Sequence, residues 1–187
     1  MVAPKEENNY HFKVIVVGEG GVGKTTLITR YATNKFIEST RMTIGAGFTF
    51  FDKEVNGGTD KIRLNVWDFG GEKRFRFILP SYCKGSNGVI FVFDLTRTTT
   101  LWNLEDWIKL VNENTDIEPI FFLAGTKADL IEKKGLKMMS FMDEQISEFL
   151  QKHELPADLY FKICSLTGQN VPEIFDKMAN LLYKMER

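Results

Sequence analysis

A chain of 187 residues with 43% hydrophobic content is long enough for one compact domain whose core needs neither disulfides nor a structural metal. Its 24 basic and 25 acidic residues nearly cancel, so no overall field draws polyanions and no nucleic-acid partner is expected. Its two cysteines, Cys83 and Cys164, stand far apart, which reads as buried thiols of a reducing compartment and makes the cytoplasm the expected location.

Residues 1–9 are polar and acidic, without the basic-then-apolar order of a secretory signal. Residues 1–10 are expected to be a disordered lead-in and residues 11–187 the domain. The longest apolar runs, 88–93 and 120–124, fall short of the roughly 18 residues a membrane span requires. Val2 is incompatible with N-myristoylation and the final residues hold no cysteine to prenylate. Neither a transmembrane segment nor a lipid anchor is therefore expected in this chain.

Short apolar runs then alternate with amphipathic stretches and glycine-bearing loops, the rhythm of βαβ units in a doubly wound α/β fold. Six strands and five helices are expected. Residues 12–17 form the first strand, apolar throughout from Val14 and hence buried on both faces. A helix follows over 23–33. Segments 47–55 and 61–67 flank Asn56-Gly57-Gly58, a hairpin turn that makes one strand of a mostly parallel sheet an antiparallel edge. Strands are expected at 88–94, 120–125 and 159–164. Helices are expected at 101–111, where Leu101, Leu104, Ile108 and Val111 share a stripe, at 142–152, and from Pro172 to about Met185. Ligands of such sheets bind beyond the carboxyl ends of the strands, which directs attention to the loops after Val17, Trp67, Gly125 and Cys164.

The first of these loops, Gly18-Glu19-Gly20-Gly21-Val22-Gly23-Lys24-Thr25, fits G-x-x-x-x-G-K-[ST] between a buried strand and a helix. Its glycines let successive N–H groups turn inward at a helix N-terminus, forming an anion nest. Gly20, Gly21, Val22, Gly23, Lys24, Thr25 and Thr26 are the expected phosphate cradle, with Lys24 as a point charge and the Thr25 hydroxyl as a Mg²⁺ ligand. A turn built for packing alone would account for the glycines but not for the lysine and threonine at this spacing. Asp68, at the tip of the third strand, can hold Mg²⁺ through water, and Thr43 is the candidate second hydroxyl.

Thr43-Ile44-Gly45, then Trp67-Asp68-Phe69-Gly70-Gly71-Glu72, then Arg74-Phe75-Arg76 without a gap resemble the Ras superfamily of small GTPases, closest to its Rab branch. The resemblance spans nearly the whole chain and implies a P-loop G domain. It implies that Thr43 binds Mg²⁺ and the γ-phosphate, that the Gly71 N–H meets the γ-phosphate, and that Phe36 packs against the base. The two loops would be switches ordered by the γ-phosphate and released on hydrolysis. Taken alone, Phe36 reads as a core aromatic and Thr43 as an ordinary loop residue; the flanking motifs give them their roles.

Thr126-Lys127-Ala128-Asp129 resembles the N-K-x-D guanine motif with threonine for asparagine. A carboxylate accepts from both the N1–H and the exocyclic amine of guanine, so Asp129 argues for GTP and GDP as ligands over ATP. The plain alternative is a helix N-cap or surface acid. The Lys127 stem would lie along the base. In Cys164-Ser165-Leu166-Thr167-Gly168 the Ser165 N–H would bind the guanine oxygen, with Leu166 beside it. Thr126 is short and lacks an amide donor, so a weakened tie between base loop and phosphate loop is expected.

Glu72 falls where the family has the glutamine that orients the attacking water. Glutamine donates and accepts; a carboxylate only accepts. Glu72 is a water-orienting base, a protonated donor, a poor catalyst, or a solvated acid without a catalytic part; slow but real turnover is the favoured outcome. Gly71, Glu72 and Lys24 form the expected catalytic set. Arg41 as an internal arginine finger is the weaker reading against a partner-facing charge. The leading function is a GTP-hydrolysing switch served by an exchange factor, an activating protein and effectors through its switch loops. A guanine-nucleotide scaffold without hydrolysis is the second reading. A P-loop ATPase or nucleotide kinase is disfavoured by Asp129 and by a length without room for a lid.

Overall fold

A computed structural model describes residues 8–38, 42–72 and 77–187. Six strands form one sheet: β1 (Asn8–Val17), β2 (Ala46–Val55), β3 (Asp60–Phe69), β4 (Gly88–Asp94), β5 (Ile120–Thr126) and β6 (Tyr160–Lys162). Their order is β2-β3-β1-β4-β5-β6. All neighbours run parallel except β2 and β3, which are antiparallel. Val14 to Val17 are fully buried, as are all seven residues of β4, which is why these strands lack alternation. Asn56–Gly58 close the β2–β3 hairpin in a 3-10 turn with Gly57 at φ 68° and Gly58 at φ 84°.

The helices are α1 (Lys24–Thr33), α2 (Leu79–Cys83), α3 (Thr99–Trp102), α4 (Leu104–Asn114), α5 (Ala128–Lys133), α6 (Leu136–Lys152) and α7 (Val171–Met185). Leu27 and Ile28 of α1 pack with Ile174, Phe175 and Met178 of α7 against one face of the sheet. Leu79, Leu101, Trp107, Ile131 and Phe149 bring α2 to α6 onto the other. This is the doubly wound arrangement, and each buried Leu, Ile or Phe contributes about 1.5–3 kcal/mol of transfer free energy to it.

The observed bounds depart from the expected ones for identifiable reasons. β1 begins at Asn8, because the ten-residue β3 offers it partners from Asp60 onward. Asn9 and His11 are exposed while Tyr10 and Phe12 are partly or fully buried, so the polar start is an alternating strand. Residues 1–7 of the expected lead-in lie outside the described residues. The described residues hold seven α-helical segments where five helices are expected, four of them with stated bounds: of those four the 101–111 helix divides at Asn103, and α2 and α5, for which no bounds are expected, are too short to display a period. α6 starts six residues before the expected Met142, since Leu136, Met138 and Phe141 are exposed and blur its apolar stripe.

Candidate nucleotide site

β1 delivers the chain to Gly18, whose φ of 143° and close approach to β4 exclude a side chain: a Cβ there would stand 2.1 Å from the Val92 carbonyl oxygen. Gly23 then begins α1 with φ 100°. Lys24 is buried, and its ammonium donates to the carbonyls of Gly18 at 2.9 Å and Glu19 at 2.7 Å. Burial lowers its pKa to about 8, against the opposing pull of Asp68 and Glu19. A desolvated cation is thereby held at the loop that offers its N–H groups.

Beside it three oxygens converge. The Thr25 hydroxyl donates to Asp68 Oδ2. Thr43 Oγ1 lies 2.8 Å from Thr25 Oγ1 and 3.4 Å from Asp68 Oδ2. Asp68 Oδ1 is buried and finds no hydrogen-bond partner among the described residues. Burial pushes the Asp68 pKa up, further than Thr25, Lys24 and Thr43 pull it down. An orphaned buried carboxylate oxygen is costly, and a cation relieves it. Two hydroxyls and one carboxylate are a hard, all-oxygen set that fits Mg²⁺ completed by water and phosphate oxygens. No cluster of three His, Cys, Asp or Glu side chains able to hold a metal occurs among the described residues.

The two loops flanking β2 and β3 meet over this corner. The Gly70 N–H donates to the Gly45 carbonyl at 2.9 Å. Gly71 lies directly on the phosphate loop: a Cβ there would stand 2.2 Å from Glu19 C and 2.3 Å from Gly20 N. Glu72 lines the same cavity as Lys24, Thr25, Thr43 and Gly71. Phe69, the last residue of β3, is buried against Tyr82 and anchors the turn that follows. Arg41 and Arg74 lie outside the described residues.

A second pocket, of about 610 Å³, continues from the phosphate loop. It is lined by Phe36, Thr126, Lys127, Asp129, Ser165 and Leu166, together with Gly21, Gly23 and Thr26. Thr126, from which a weakened tie is expected, bonds the phosphate loop directly. The Thr126 hydroxyl lies 2.5 Å from the Val22 carbonyl oxygen and 2.9 Å from that of Phe93, sharing its one proton between them. Lys127 adds a second tie, donating to the Gly21 carbonyl at 2.9 Å. Asp129 sits in the first turn of α5 and makes no cap; its Oδ1 accepts from the Cys164 thiol at 3.4 Å.

Two contributors escaped the sequence reading. Asp94 ends β4, buried, and accepts from the Thr96 N–H and hydroxyl, Arg97 Nε and, at 2.7 Å, Lys127 Nζ. Burial would raise its pKa, but Lys127 and Thr96 outweigh that and hold it below the ordinary value. Its signal was available: it is an acid at a strand's carboxyl end, the one such loop left out of the search. Glu19 accepts from Asn103 Nδ2 at 2.7 Å, which fastens the phosphate loop to the α3–α4 junction.

A nest at a helix N-terminus, a hydroxyl–carboxylate corner and an adjoining base-sized pocket, all at the carboxyl edge of a doubly wound sheet, define a P-loop nucleotide-binding domain. The family model of the Ras family matches residues 13–184. The Ras-related protein RABA2a of Arabidopsis thaliana is 31% identical over 182 residues, covering 97% of this chain and 79% of that protein. The Ras-related protein Rab-11A of Dictyostelium discoideum is 32% identical over 179 residues, covering 96% and 79%. This chain belongs to the Ras family, in its Rab branch, and is a small GTPase. No helix among the described residues is long and apolar enough to cross a membrane.

Proposed function

We propose that this chain is a Rab-like switch that binds GTP and GDP with Mg²⁺ in the two joined pockets and hydrolyses GTP slowly. The observation that carries the reading is the convergence of Thr25, Thr43 and Asp68, one buried Asp68 oxygen finding no partner among the described residues, beside the buried ammonium of Lys24. Mg²⁺ held by these three would neutralise phosphate charge. The chain's own residues do the rest. The N–H groups of residues 20–26 cradle the phosphates, and Gly71 brings its N–H to the γ-phosphate side. Asp129 accepts from the guanine edge, Lys127 and Phe36 cover its faces, and Ser165 and Leu166 close the far wall.

Glu72 lines the phosphate cavity, which supports its reading as the residue that orients an attacking water, with acceptors only. Turnover is therefore slow, and an activating protein accelerates it. Exchange factor and effectors meet the chain at the switch loops, where Ile37, Met42, Ile44 and Phe77 are exposed. Both cysteines are buried and free, which supports a reducing, cytoplasmic setting. The same acceptor-only Glu72 favours one second reading, a guanine-nucleotide scaffold without hydrolysis. Phosphate release followed over many hours under single-turnover conditions decides between them, using the parent, Glu72→Gln and Glu72→Ala. The catalytic role predicts a slow parent, a faster Gln and a slower Ala variant. An Ala variant as fast as the parent removes Glu72 from catalysis, and no release from any of the three leaves the scaffold.

A further inference from the structure

α1 carries the phosphate cradle at its first turn and ends near the base pocket, and Arg30 near its end bonds to residues that adjoin two of the pocket's lining segments, at Phe36 and at Ser165 and Leu166. Its Nη1 donates to the Asn34 carbonyl at 2.8 Å and its Nη2 to the Thr167 carbonyl at 3.2 Å. Asn34 turns the chain out of the helix at φ 53°, its N–H returning to the Arg30 carbonyl at 2.9 Å. Phe36 follows two residues later. Thr167 directly follows Ser165 and Leu166. One guanidinium thus holds the roots of two loops that face each other across the pocket, the second of them 137 positions from Arg30.

The fit is specific to this side chain. Gly168 packs against the guanidinium, and a Cβ there would stand 2.8 Å from Nη2 and 3.4 Å from Nε. A basic residue near the end of a helix often does no more than satisfy the last carbonyls. The bond to Thr167 goes beyond that, since it leaves α1 altogether. A planar fork can serve two carbonyls in fixed directions, whereas a lysine offers one mobile point charge.

We propose that Arg30 is a positioning residue of the base pocket: by bridging the Asn34 and Thr167 carbonyls it holds Phe36 against the wall formed by Ser165 and Leu166, and so sets nucleotide residence time. The inference rests on the reading that this pocket takes the guanine base. The full chain is loaded with fluorescent GDP, and release into excess unlabelled GDP is followed in Mg²⁺ and in EDTA. The variants are Arg30→Met, Arg30→Lys, Phe36→Ala and the Arg30→Met/Phe36→Ala double. Loss of both charge-assisted bonds is expected to speed release about tenfold in both media, and Arg30→Lys to recover only part of it. The double variant is expected to release within about twofold of Phe36→Ala alone, because both changes open one wall. If Arg30→Met does not fold, Arg30→Lys alone and combined with Phe36→Ala carries the same comparison. Arg30 variants that release at the parent's rate while Phe36→Ala is fast overturn the clamp and leave the pocket assignment standing. Phe36→Ala releasing at the parent's rate removes the assignment and the clamp together. Multiplying effects in the double variant, or an acceleration that vanishes in EDTA, also overturn the clamp.

Discussion

The Thr126 hydroxyl stands 2.5 Å from the Val22 carbonyl oxygen, so the base loop is bonded to the phosphate loop by a short residue from which a weakened tie is expected. The bond is buried, and its loss leaves the Val22 and Phe93 carbonyls without this donor. Thr126→Val keeps the shape and removes the proton. It is expected to cost about 1–3 kcal/mol of stability and to speed GDP release roughly tenfold, while Thr126→Ser stays close to the parent. Thermal unfolding and release kinetics on the three proteins check this, and a Val variant matching the parent in both would show the bond to be idle.

Asp94 acts on the same pocket from beneath. Its Oδ2 takes Lys127 Nζ at 2.7 Å and Arg97 Nε at 2.9 Å, and Lys127 in turn reaches the Gly21 carbonyl. Asp94→Asn removes the negative charge that holds two cations together over the phosphate loop. Breaking a buried, hydrogen-bonded ion pair costs on the order of 3–5 kcal/mol, discounted here because Lys127 and Arg97 are partly exposed. The expected result is weaker GDP binding by one to two orders of magnitude, an estimate following from about 1.4–3 kcal/mol. Isothermal titration on the nucleotide-free protein measures it; an unchanged Kd would confine Asp94 to the fold.

Gly71 predicts a different kind of loss. Any Cβ at this position collides with the Glu19–Gly20 backbone, which has no flexible end to yield. Gly71→Ala is therefore expected to keep GDP binding near the parent's value, because the base pocket and α1 are untouched. It should lower the single-turnover hydrolysis rate by at least about tenfold, the scale of losing one well-placed donor. Hydrolysis at the parent's rate would mean that the loop turns over GTP without lying on the phosphate loop.

How much of this was legible in the sequence follows the range of each contact. The phosphate cradle could be read directly, because glycines, Lys24 and Thr25 are local and each residue type has its own task. Asp68 could be placed at a strand tip by topology, but Thr43 and Phe36 took meaning only from motifs around them. Asp94 was hidden inside an apolar run whose burial was read correctly and whose last residue was not weighed. The Thr126 bond runs to the carbonyl of Val22, far away in sequence, and a carbonyl leaves no mark in a side-chain pattern. Arg30 could not be read at all: its partners are carbonyls, which every residue has, so no pattern of side chains announces them. Strand β1 was shortened for a similar reason, since its polar first turns are strand only because β3 is long enough to pair with them.

Cys83 carries the pH prediction. It is buried at the end of α2, and burial lifts its thiol from an ordinary 9.0 to about 11, against the pull of Lys13. The folded form therefore holds the thiol proton where the unfolded chain has released it, between about pH 9 and pH 11. Stability falls with rising pH wherever the native state binds more protons. The Cys83 contribution is thus fully present below pH 9 and is lost as the pH climbs through that window. Urea unfolding at steps from pH 8 to pH 11 should give a declining free energy, and Cys83→Ala should decline less steeply over the same range while starting lower for its small cavity. Parallel slopes in the two proteins would assign the alkaline loss to other groups, such as Tyr31, whose hydroxyl is held up to about 12 by burial and Asp176. Native protein at pH 8 is likewise expected to leave Cys83 unmodified by a thiol reagent until it unfolds, since the thiolate is both scarce and enclosed.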